Sequence, residues 1–449
     1  MQYFSHNVVP FIFVLGILVF VHEFGHYAVA KLFKVRVETF SLGFGKRLIG
    51  FRRGDTDYRI SLLPLGGYVK MAGENPMEAR TGDPGEFMSH PRWQRFLIAI
   101  AGPAMNILLA VAVLTGVYMY RHQYPAYLYQ PAVLGWVTDG YPAQKAGLQA
   151  GDRIVMAQGK SNPTWDDVRY QIFGRINQTL EMDVQRGDQT VHVSLPVRAP
   201  ENEDIEILAE LGLNPQGPAI VGTLNRGDPA EKAGIQVGDE IISVNDVNVQ
   251  SSNTVALFDV LQRGKASPAR IKTQRKGEII ERNVVPQWLP DQQGKSPAWR
   301  IGMTAKPDFR TEKLSFRSAL STSVVDCKKN SLLIFRLLSQ LFHVKGILGQ
   351  FSGPVGIMTE SGRAADLGFA VLLQFMALIS LNLAIFNMLP IPILDGGLVL
   401  MLMVEGVMRR DIKQEVKERV YQAAFVFLVL FAAVVIFNDV AKQITPHLK

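Results

Sequence analysis

Four stretches of this 449-residue chain are apolar over a length that can cross a lipid bilayer, for which a helix needs roughly 20 residues. They cover about 7–30, 96–120, 369–389 and 420–437. The mean hydropathy of the whole chain is only slightly positive, so a substantial water-exposed part must accompany these stretches. The pattern predicts a multi-spanning α-helical membrane protein with four transmembrane helices and a large soluble portion.

The first apolar stretch resembles a secretory signal peptide only in its position. It has neither a basic leading segment nor a small-residue cleavage site, so we expect it to be retained as a transmembrane helix. The chain contains one cysteine, Cys327, which excludes an internal disulfide and a cysteine-based metal site. We expect this cysteine to be an ordinary small apolar residue.

The basic residues next to the apolar stretches predict the orientation of the chain. Two short segments are rich in lysine and arginine, and the positive-inside rule places both in the cytoplasm. They contain Lys31, Lys34, Arg36, Lys46, Arg47, Arg52, Arg53 and Arg59 after the first stretch, and Arg409, Arg410, Lys413, Lys417 and Arg419 before the fourth. Both termini and the segment from about 121 to 366 are then expected outside. The net charge of +7 therefore indicates topology and lipid contact rather than nucleic-acid binding.

The first apolar stretch carries the sequence His22-Glu23-Phe24-Gly25-His26, which reads H-E-x-x-H. On a helix the two histidines are neighbours on one face and can bind one cation together, with Glu23 in reach as a general base. A pair of ordinary buried histidines is the alternative. Ionisable groups inside a membrane span cost about 2.5–3.5 kcal/mol each on insertion scales and are usually functional, which favours the metal site.

A catalytic zinc ion usually takes three protein ligands and leaves one position open. The remaining histidines lie outside the apolar stretches and are expected at the surface: His6, His90, His122, His192, His343 and His447. A carboxylate at the same membrane depth is therefore expected as third ligand, and Asp395 meets this requirement because it follows the cytoplasmic end of the third stretch. Taken alone, Asp395 is more typical of a turn at a helix end. With two imidazoles, it makes a donor set suited to Zn²⁺.

Two prolines precede Asp395 in the segment Asn387-Met-Leu-Pro390-Ile-Pro392-Ile-Leu-Asp395-Gly396-Gly397. Proline removes a helix hydrogen bond and clashes with the preceding turn, so we expect the third helix to break here. The paired glycines are expected to allow a sharp reversal. A broken helix at membrane depth is tolerated only inside protein or beside water, which suits a hydrolytic site.

These motifs together resemble the site-2 protease family of intramembrane zinc metalloproteases. The resemblance covers nearly the whole chain and rests on HEFGH (22–26), GPAMN (102–106), FSGPVGI (351–357) and LDGG (394–397). It implies that His22, His26 and Asp395 bind zinc and that Glu23 is the catalytic base. It further implies that Asn387, Pro390 and Pro392 contribute to substrate binding. For Asn106, a packing role with a satisfied amide and a direct catalytic role remain open.

The resemblance also implies the biological setting. Substrates would be single-span membrane proteins already cut on their outer side, notably an anti-sigma factor of a sigma-E stress response, and remnant signal peptides. The location would be the bacterial inner membrane, with the termini and outer domains periplasmic and the active site near the cytoplasmic side. A membrane scaffold with a lost metal site and a metal transporter are the other classes considered. The intact H-E-x-x-H motif disfavours the first, and the few polar residues in the second and fourth spans disfavour the other.

Residues 35–74 combine β-branched and alternating stretches with several glycines, which predicts short strands and turns. The segment 62–69 is too apolar for a plain cytoplasmic loop, and family members suggest a β-loop that re-enters the membrane. A strand edge here, including Gly66 and Gly67, can hold a substrate extended. A small cytoplasmic sheet without substrate contact is the alternative. Residues 74–94 are expected to form a loop or lid.

The outer segment contains an internal repeat. The sequence from Pro142 to Ile154 recurs from Pro229 to Ile241 with the same Pro-Ala-x-Lys-Ala-Gly and Gly-Asp elements. Each copy follows a short apolar strand, which resembles two PDZ domains in tandem. Such domains bind peptides along a strand edge, but neither copy shows the familiar Gly-Leu-Gly-Phe loop before it. A steric gate is therefore favoured over peptide capture.

Residues 311–350 mix apolar and basic residues at helical spacing, typical of an amphipathic interfacial helix, although a packed bundle helix is equally compatible.

The predicted boundaries are 1–31 and 95–121 for the first two spans, 32–94 for the β-region, 128–200 and 216–290 for the PDZ domains, 367–397 for the third span with its LDG motif, 398–419 for a cytoplasmic loop, 420–438 for the fourth span and 439–449 for an outer tail.

Overall fold

The computed structural model describes residues 2–74, 82–198, 207–289, 297–340 and 353–444. The helices are α1 Gln2–Leu32, α2 Arg92–Arg121, α3 Pro142–Lys145, α4 Trp165–Phe173, α5 Ile207–Glu210, α6 Pro229–Lys232, α7 Val255–Gly264, α8 Phe316–Gln340, α9 Pro354–Asp366, α10 Phe369–Asn387, α11 Asp395–Met408 and α12 Gln414–Ile444. Short 3₁₀ turns cover Phe87–Ser89 and Ala126–Tyr129.

The strands are β1 Val37–Arg53, β2 Thr56–Met71, β3 His122–Pro125, β4 Leu134–Val137, β5 Arg153–Ala157, β6 Lys160–Ser161, β7 Gln178–Arg186, β8 Gln189–Val197, β9 Leu213–Pro215, β10 Ala219–Leu224, β11 Glu240–Val244, β12 Val247–Asn248, β13 Ala269–Arg275, β14 Glu278–Val284, β15 Gln287–Leu289, β16 Ala298–Arg300, β17 Met303–Pro307 and β18 Phe309–Glu312. Several expectations lie partly or wholly outside the described residues: the end of 311–350, the start of FSGPVGI, the tail beyond 444, and His343 and His447.

The chain divides into two compact units. One unit contains residues 1–121 and most of the chain after Lys313, and the other contains His122–Glu312. In the first unit, the described residues include four helices long and apolar enough to cross a membrane: His6–Leu32, Arg92–Arg121, Phe369–Asn387 and Gln414–Val435. They coincide with the four apolar stretches, with ends shifted by a few residues. The expected number of spanning helices is confirmed.

Helix α2 is the centre of the first unit and packs against α1, α8, α10 and α11. The contact between α1 and α2 is unusually close, because a side chain at Gly25 would place its Cβ 2.4 Å from the carbonyl oxygen of Ala101. Small residues allow helix backbones to approach in this way inside a membrane. This approach brings the histidine-bearing face of α1 directly onto α2.

Helix α8 decides between the two alternatives for residues 311–350. It packs along α2, where the Tyr118 hydroxyl donates to Asp326 Oδ2 at 2.8 Å and the Thr115 hydroxyl to Ser323 Oγ at 3.3 Å. Cys327 is buried in a cluster that includes Ala110 of α2. The described part of this segment is therefore a packed bundle helix rather than a purely interfacial one.

The expected cytoplasmic loop over 398–419 is wrong for most of its length. Residues 395–408 form α11, and α12 already begins at Gln414. The apolar run after Gly397 is too short to cross a bilayer, yet it is long enough to form a helix that packs on α2. Buried Glu405 of α11 pairs with Lys417 of α12 at 2.6 Å, which ties the two helices together.

Residues 37–71 form one long hairpin instead of the expected short strands. Strands β1 and β2 pair antiparallel along 17 and 16 residues, and repeated register shifts bend the ladder. The half of the hairpin near α1 is buried in a cluster around Val37, Phe40 and Val69. Its far half exposes large apolar side chains, including Phe44, Leu48, Ile49, Phe51, Leu62 and Leu63.

The second unit contains the two repeated modules, and each is longer than predicted. In the first module the sheet runs β6-β5-β7-β8, and β4 pairs with β9 at 213–215. In the second module the order is β14-β13-β11-β10-β17, so its last strand lies at 303–307. Both closing strands lie beyond the predicted ends at 200 and 290. The repeat pattern does not indicate these strands, because each pairs with a strand far away in the sequence, β4 and β10 respectively.

Each module uses the Gly-Asp element of the repeat in the same way. Asp152 and Asp239 are 1% exposed, and each carboxylate accepts two hydrogen bonds from an arginine, Arg186 and Arg275 respectively. Burial opposes ionisation of Asp239, but the Arg275 guanidinium and the Gln236 amide outweigh it and hold the pKa of Asp239 below its usual value. His122, expected at the surface, is instead buried and lies 3.4 Å from Glu312.

We expect Arg275→Met to destabilise the second module by about 3–5 kcal/mol, because it leaves the buried Asp239 carboxylate without its ionic partner. Hydrogen exchange of the intact chain in detergent, read by mass spectrometry over β11 and β13, measures this as faster exchange. Arg270→Met is the matched control on the same strand. Its partner Asp246 is exposed, so a change within about 1 kcal/mol is expected. Equal exchange in the two variants would contradict the prediction.

Candidate metal centre

Helix α1 places His22 and His26 one turn apart on the face that meets α2, and both side chains are buried. Asp395, the first residue of α11, approaches them from the other end of the chain. The distances are 3.3 Å between the two imidazole Nε2 atoms, 3.2 Å from His22 Nε2 to Asp395 Oδ2, and 3.4 Å from His26 Nε2 to Asp395 Oδ1. The three residues predicted as ligands converge on one point.

The break between α10 and α11 brings Asp395 to this point. Helix α10 ends at Asn387, residues 388–394 form an irregular connection, and α11 begins at Asp395. The break expected from Pro390 and Pro392 is therefore present. The expected reversal at the glycines is not, since Gly396 and Gly397 are helical. A Cβ on either would lie 2.3 Å from a carbonyl oxygen of the connection, so they permit its close approach to α11.

The hydrogen bonds of His26 define which ring nitrogen faces the cluster. Its Nδ1 lies 2.8 Å from the carbonyl oxygen of Ile98. Because a carbonyl oxygen can only accept, Nδ1 carries the proton and Nε2 is the unprotonated nitrogen that can bind a metal. This carbonyl belongs to the backbone of α2, and sequence motifs give no signal for it. His22 has Asn106 Nδ2 at 3.1 Å from its Nδ1 and Asn387 Nδ2 at 3.2 Å from its Nε2.

The residues present suit a zinc ion. Zinc bonds of roughly 2.0–2.1 Å in a tetrahedral arrangement separate neighbouring ligand atoms by about 3.3–3.4 Å, which agrees with the three distances above. Asp395 Oδ2 is buried without a hydrogen-bond partner, as expected for an atom that binds a cation. Gly102 lies directly against the site, because a Cβ there would be 2.3 Å from His26 Nε2. Within the described ranges, no other group of three ligating side chains converges in this way.

Glu23 follows His22 on α1 and is half-buried. The backbone N–H of Val69 in β2 lies close to its carboxylate, and both histidines and Asp395 are within electrostatic range of it. A Cβ on Gly67 would lie 3.2 Å from Glu23 Cγ and 2.8 Å from the carbonyl oxygen of Ser41. The hairpin therefore packs against the Glu23 side chain.

The remaining residues predicted at the site occupy different places around it. Asn387 is the last residue of α10, and its side-chain nitrogen lies 3.2 Å from His22 Nε2. Pro390 is exposed and Pro392 half-buried in the connection that leads to Asp395. Gly66 faces the Phe44 ring, which a Cβ would approach to 2.3 Å. The Val69 amide was not predicted, because a backbone donor leaves no mark in the sequence.

The comparison with known proteins agrees with this geometry. The family model described as peptidase family M50 matches residues 10–431. A Vibrio cholerae protein named as a zinc metalloprotease is 33% identical, with 97% of this chain and 98% of the relative covered. The regulator of sigma-E protease RseP of Escherichia coli is 32% identical over 98% of this chain and 99% of its own length. Protease RseP of Yersinia pestis is also 32% identical, over 97% and 98%. This chain belongs to peptidase family M50 and is a zinc metalloprotease.

Proposed function

We propose that this chain hydrolyses peptide bonds inside the transmembrane segments of single-span membrane proteins. His22, His26 and Asp395 hold Zn²⁺, and Glu23 is the catalytic base. The observation that carries the proposal is the triangle of ligand atoms with sides of 3.2–3.4 Å. It lies between a helix long and apolar enough to span a membrane and the helix that follows another such span.

Zinc held by His22, His26 and Asp395 would act as a Lewis acid and would make water a stronger nucleophile at neutral pH. Glu23 then accepts the proton of the attacking water and delivers it to the amine that leaves. The backbone N–H of Val69 lies close to this carboxylate and would help to orient it during both transfers. Burial of the site between α1, α2 and α11 limits the water available, so each proton must be handled by a positioned group.

The substrate has to be held in an extended form, because a helix hides each scissile carbonyl in a backbone hydrogen bond. The β1–β2 hairpin forms a two-stranded sheet, so each strand has an edge that can pair with a peptide. The apolar far half of the hairpin supports its insertion into the membrane as a re-entrant loop. Gly66 and Gly67 on β2, with Asn387, Pro390 and Pro392 beyond α10, border the path of such a peptide.

The outer modules are proposed to be PDZ domains that restrict access to the site. Their equivalent β-rich folds and shared Gly-Asp elements support this assignment. They contact each other through Trp136 Nε1, which donates to Asp259 Oδ2 at 2.8 Å, and through the amides of Asn253 and Asn214. A tandem held in this way suits a steric gate that excludes proteins with bulky outer domains.

The location and the substrates follow from the charge pattern and the relatives. Basic segments beside α1 and before α12 support a bacterial inner membrane with the site near the cytoplasmic side and the modules in the periplasm. The name of the Escherichia coli relative refers to regulation of sigma-E. An anti-sigma factor first cut on its outer side, together with remnant signal peptides, is therefore the proposed substrate class.

We expect Glu23→Gln to abolish cleavage and to retain zinc, since the amide keeps the size of the side chain but cannot accept the proton. Loss of a general base costs roughly 10²–10⁴-fold or more in rate. The measurement is cleavage of a tagged single-span substrate in detergent, with zinc content determined on both proteins. Asp366→Asn, an exposed carboxylate on α9, is the control. Equal cleavage by Glu23→Gln and wild type would refute the assignment of the base.

The need for an extended substrate predicts that the helical stability of the substrate limits the rate. Replacing one leucine by glycine near the scissile bond destabilises a helix by about 1 kcal/mol, so about fivefold faster cleavage is expected. The same replacement several turns away in the substrate span serves as control. If both substrates are cut at the original rate, unwinding is not part of the rate-limiting process.

A further inference from the structure

We propose that Asn106 is a positioning residue for the metal centre: its side-chain oxygen accepts the Nδ1–H of His22 and so keeps the His22 Nε2 atom unprotonated toward the metal. This inference rests on the proposed function, because it assigns a role at the same zinc site. It gives Asn106 a role that differs from both alternatives left open by the sequence, a packing role and a direct catalytic role.

Asn106 lies on α2 with a fully buried side chain. Its amide nitrogen is 3.1 Å from His22 Nδ1, whereas its Oδ1 is buried without a partner. Rotating the terminal amide by half a turn exchanges these two atoms, which have nearly the same size. The exchanged arrangement gives His22 Nδ1 an acceptor for its proton, and the amide nitrogen then takes the position that has no partner.

The alternative arrangement conflicts with the rest of the site. If the amide N–H faced His22 Nδ1, that nitrogen would be an acceptor and the ring proton would reside on Nε2. The proton would then occupy the space between His22 Nε2, His26 Nε2 and Asp395, where the three ligand atoms converge. A neutral imidazole binds a metal only through its unprotonated nitrogen. The orientation of one buried amide therefore determines whether His22 can act as a ligand.

The two histidines then have equivalent arrangements. His26 donates its Nδ1–H to the Ile98 carbonyl of α2, and His22 donates its own to a side chain two turns further along the same helix. Metal-bound histidines commonly use such a second hydrogen bond to fix the tautomer and the ring orientation. Both rings are therefore oriented from α2, which contributes no ligand itself.

Asn106 is itself held in place from a third helix. Ser380 of α10 is fully buried, and its hydroxyl donates to the backbone carbonyl of Asn106 at 2.8 Å. One turn earlier on α2, Gly102 contacts both rings, since a Cβ there would lie 2.3 Å from His26 Nε2 and 2.9 Å from His22 Cε1. The position of the amide relative to His22 is thus set by contacts on both sides of α2.

The test measures zinc release from the purified full-length chain in detergent after mixing with an excess of EDTA. Asn106→Ala and Asn106→Leu both remove the acceptor while changing the side-chain volume in different ways. We expect each to release zinc about 10–100-fold faster than wild type, the usual effect of losing such a contact. Asn106→Asp keeps an acceptor and is expected to release zinc at close to the wild-type rate.

Thr115→Val is the matched control, because Thr115 is a buried polar residue of α2 whose contacts with Val111 and Ser323 lie away from the site. It is expected to release zinc like wild type. Thermal unfolding of the zinc-free proteins identifies any variant that fails to fold. If either Asn106→Ala or Asn106→Leu does not fold, the other one still tests the loss of the acceptor. Wild-type release from a folded Asn106→Ala or Asn106→Leu overturns the inference, as does rapid release from a folded Asn106→Asp.

A wild-type chain that retains no zinc at all would overturn the proposed function and this inference with it. A wild type that binds zinc and cleaves its substrate, while Asn106→Ala also holds zinc normally, would refute only the positioning role. The two failures are therefore distinguishable in the same set of measurements.

Discussion

The close approach of α1 to α2 is the constraint on which the metal centre depends. Gly25 leaves room for the Ala101 carbonyl, and Gly102 leaves room for the imidazole of His26, so each helix has a glycine where the other presses against it. A methyl group at either position would separate the helices or displace a ring. Because α2 also packs on α10 and α11, the same contact sets the distance between the histidines and Asp395.

A membrane interior makes polar clusters expensive, and the chain meets this cost by giving nearly every polar atom of the site a partner. The outward-facing nitrogen of His26 pairs with a carbonyl of α2, and the Glu23 carboxylate lies close to an amide of the hairpin. Asp395 begins a helix, where the backbone N–H groups favour negative charge. The Nε2 atoms of both histidines and the Asp395 carboxylate face the common centre. The architecture therefore reserves this space for a cation.

Much of this arrangement could be predicted from residue types alone. The apolar stretches predicted the spans. The spacing of His22, Glu23 and His26, together with the proline break, predicted the three side chains that converge. Helix α11 could not be predicted from its short apolar run. A run of this length is compatible with a loop and also with a helix that packs on the bundle without crossing the membrane. The closing strands β9 and β17 were missed because strand pairing across the end of a repeat depends on long-range contacts. Backbone partners such as the Ile98 carbonyl leave no trace in side-chain patterns.

The order of the site residues along the chain has a consequence for biosynthesis. His22 and His26 emerge from the ribosome early, whereas Asp395 follows only after the whole outer unit of residues 122–312 has been made. A nascent chain with two imidazoles but no carboxylate has an incomplete donor set. The metal centre can therefore form only after the domains proposed to restrict access have been synthesised.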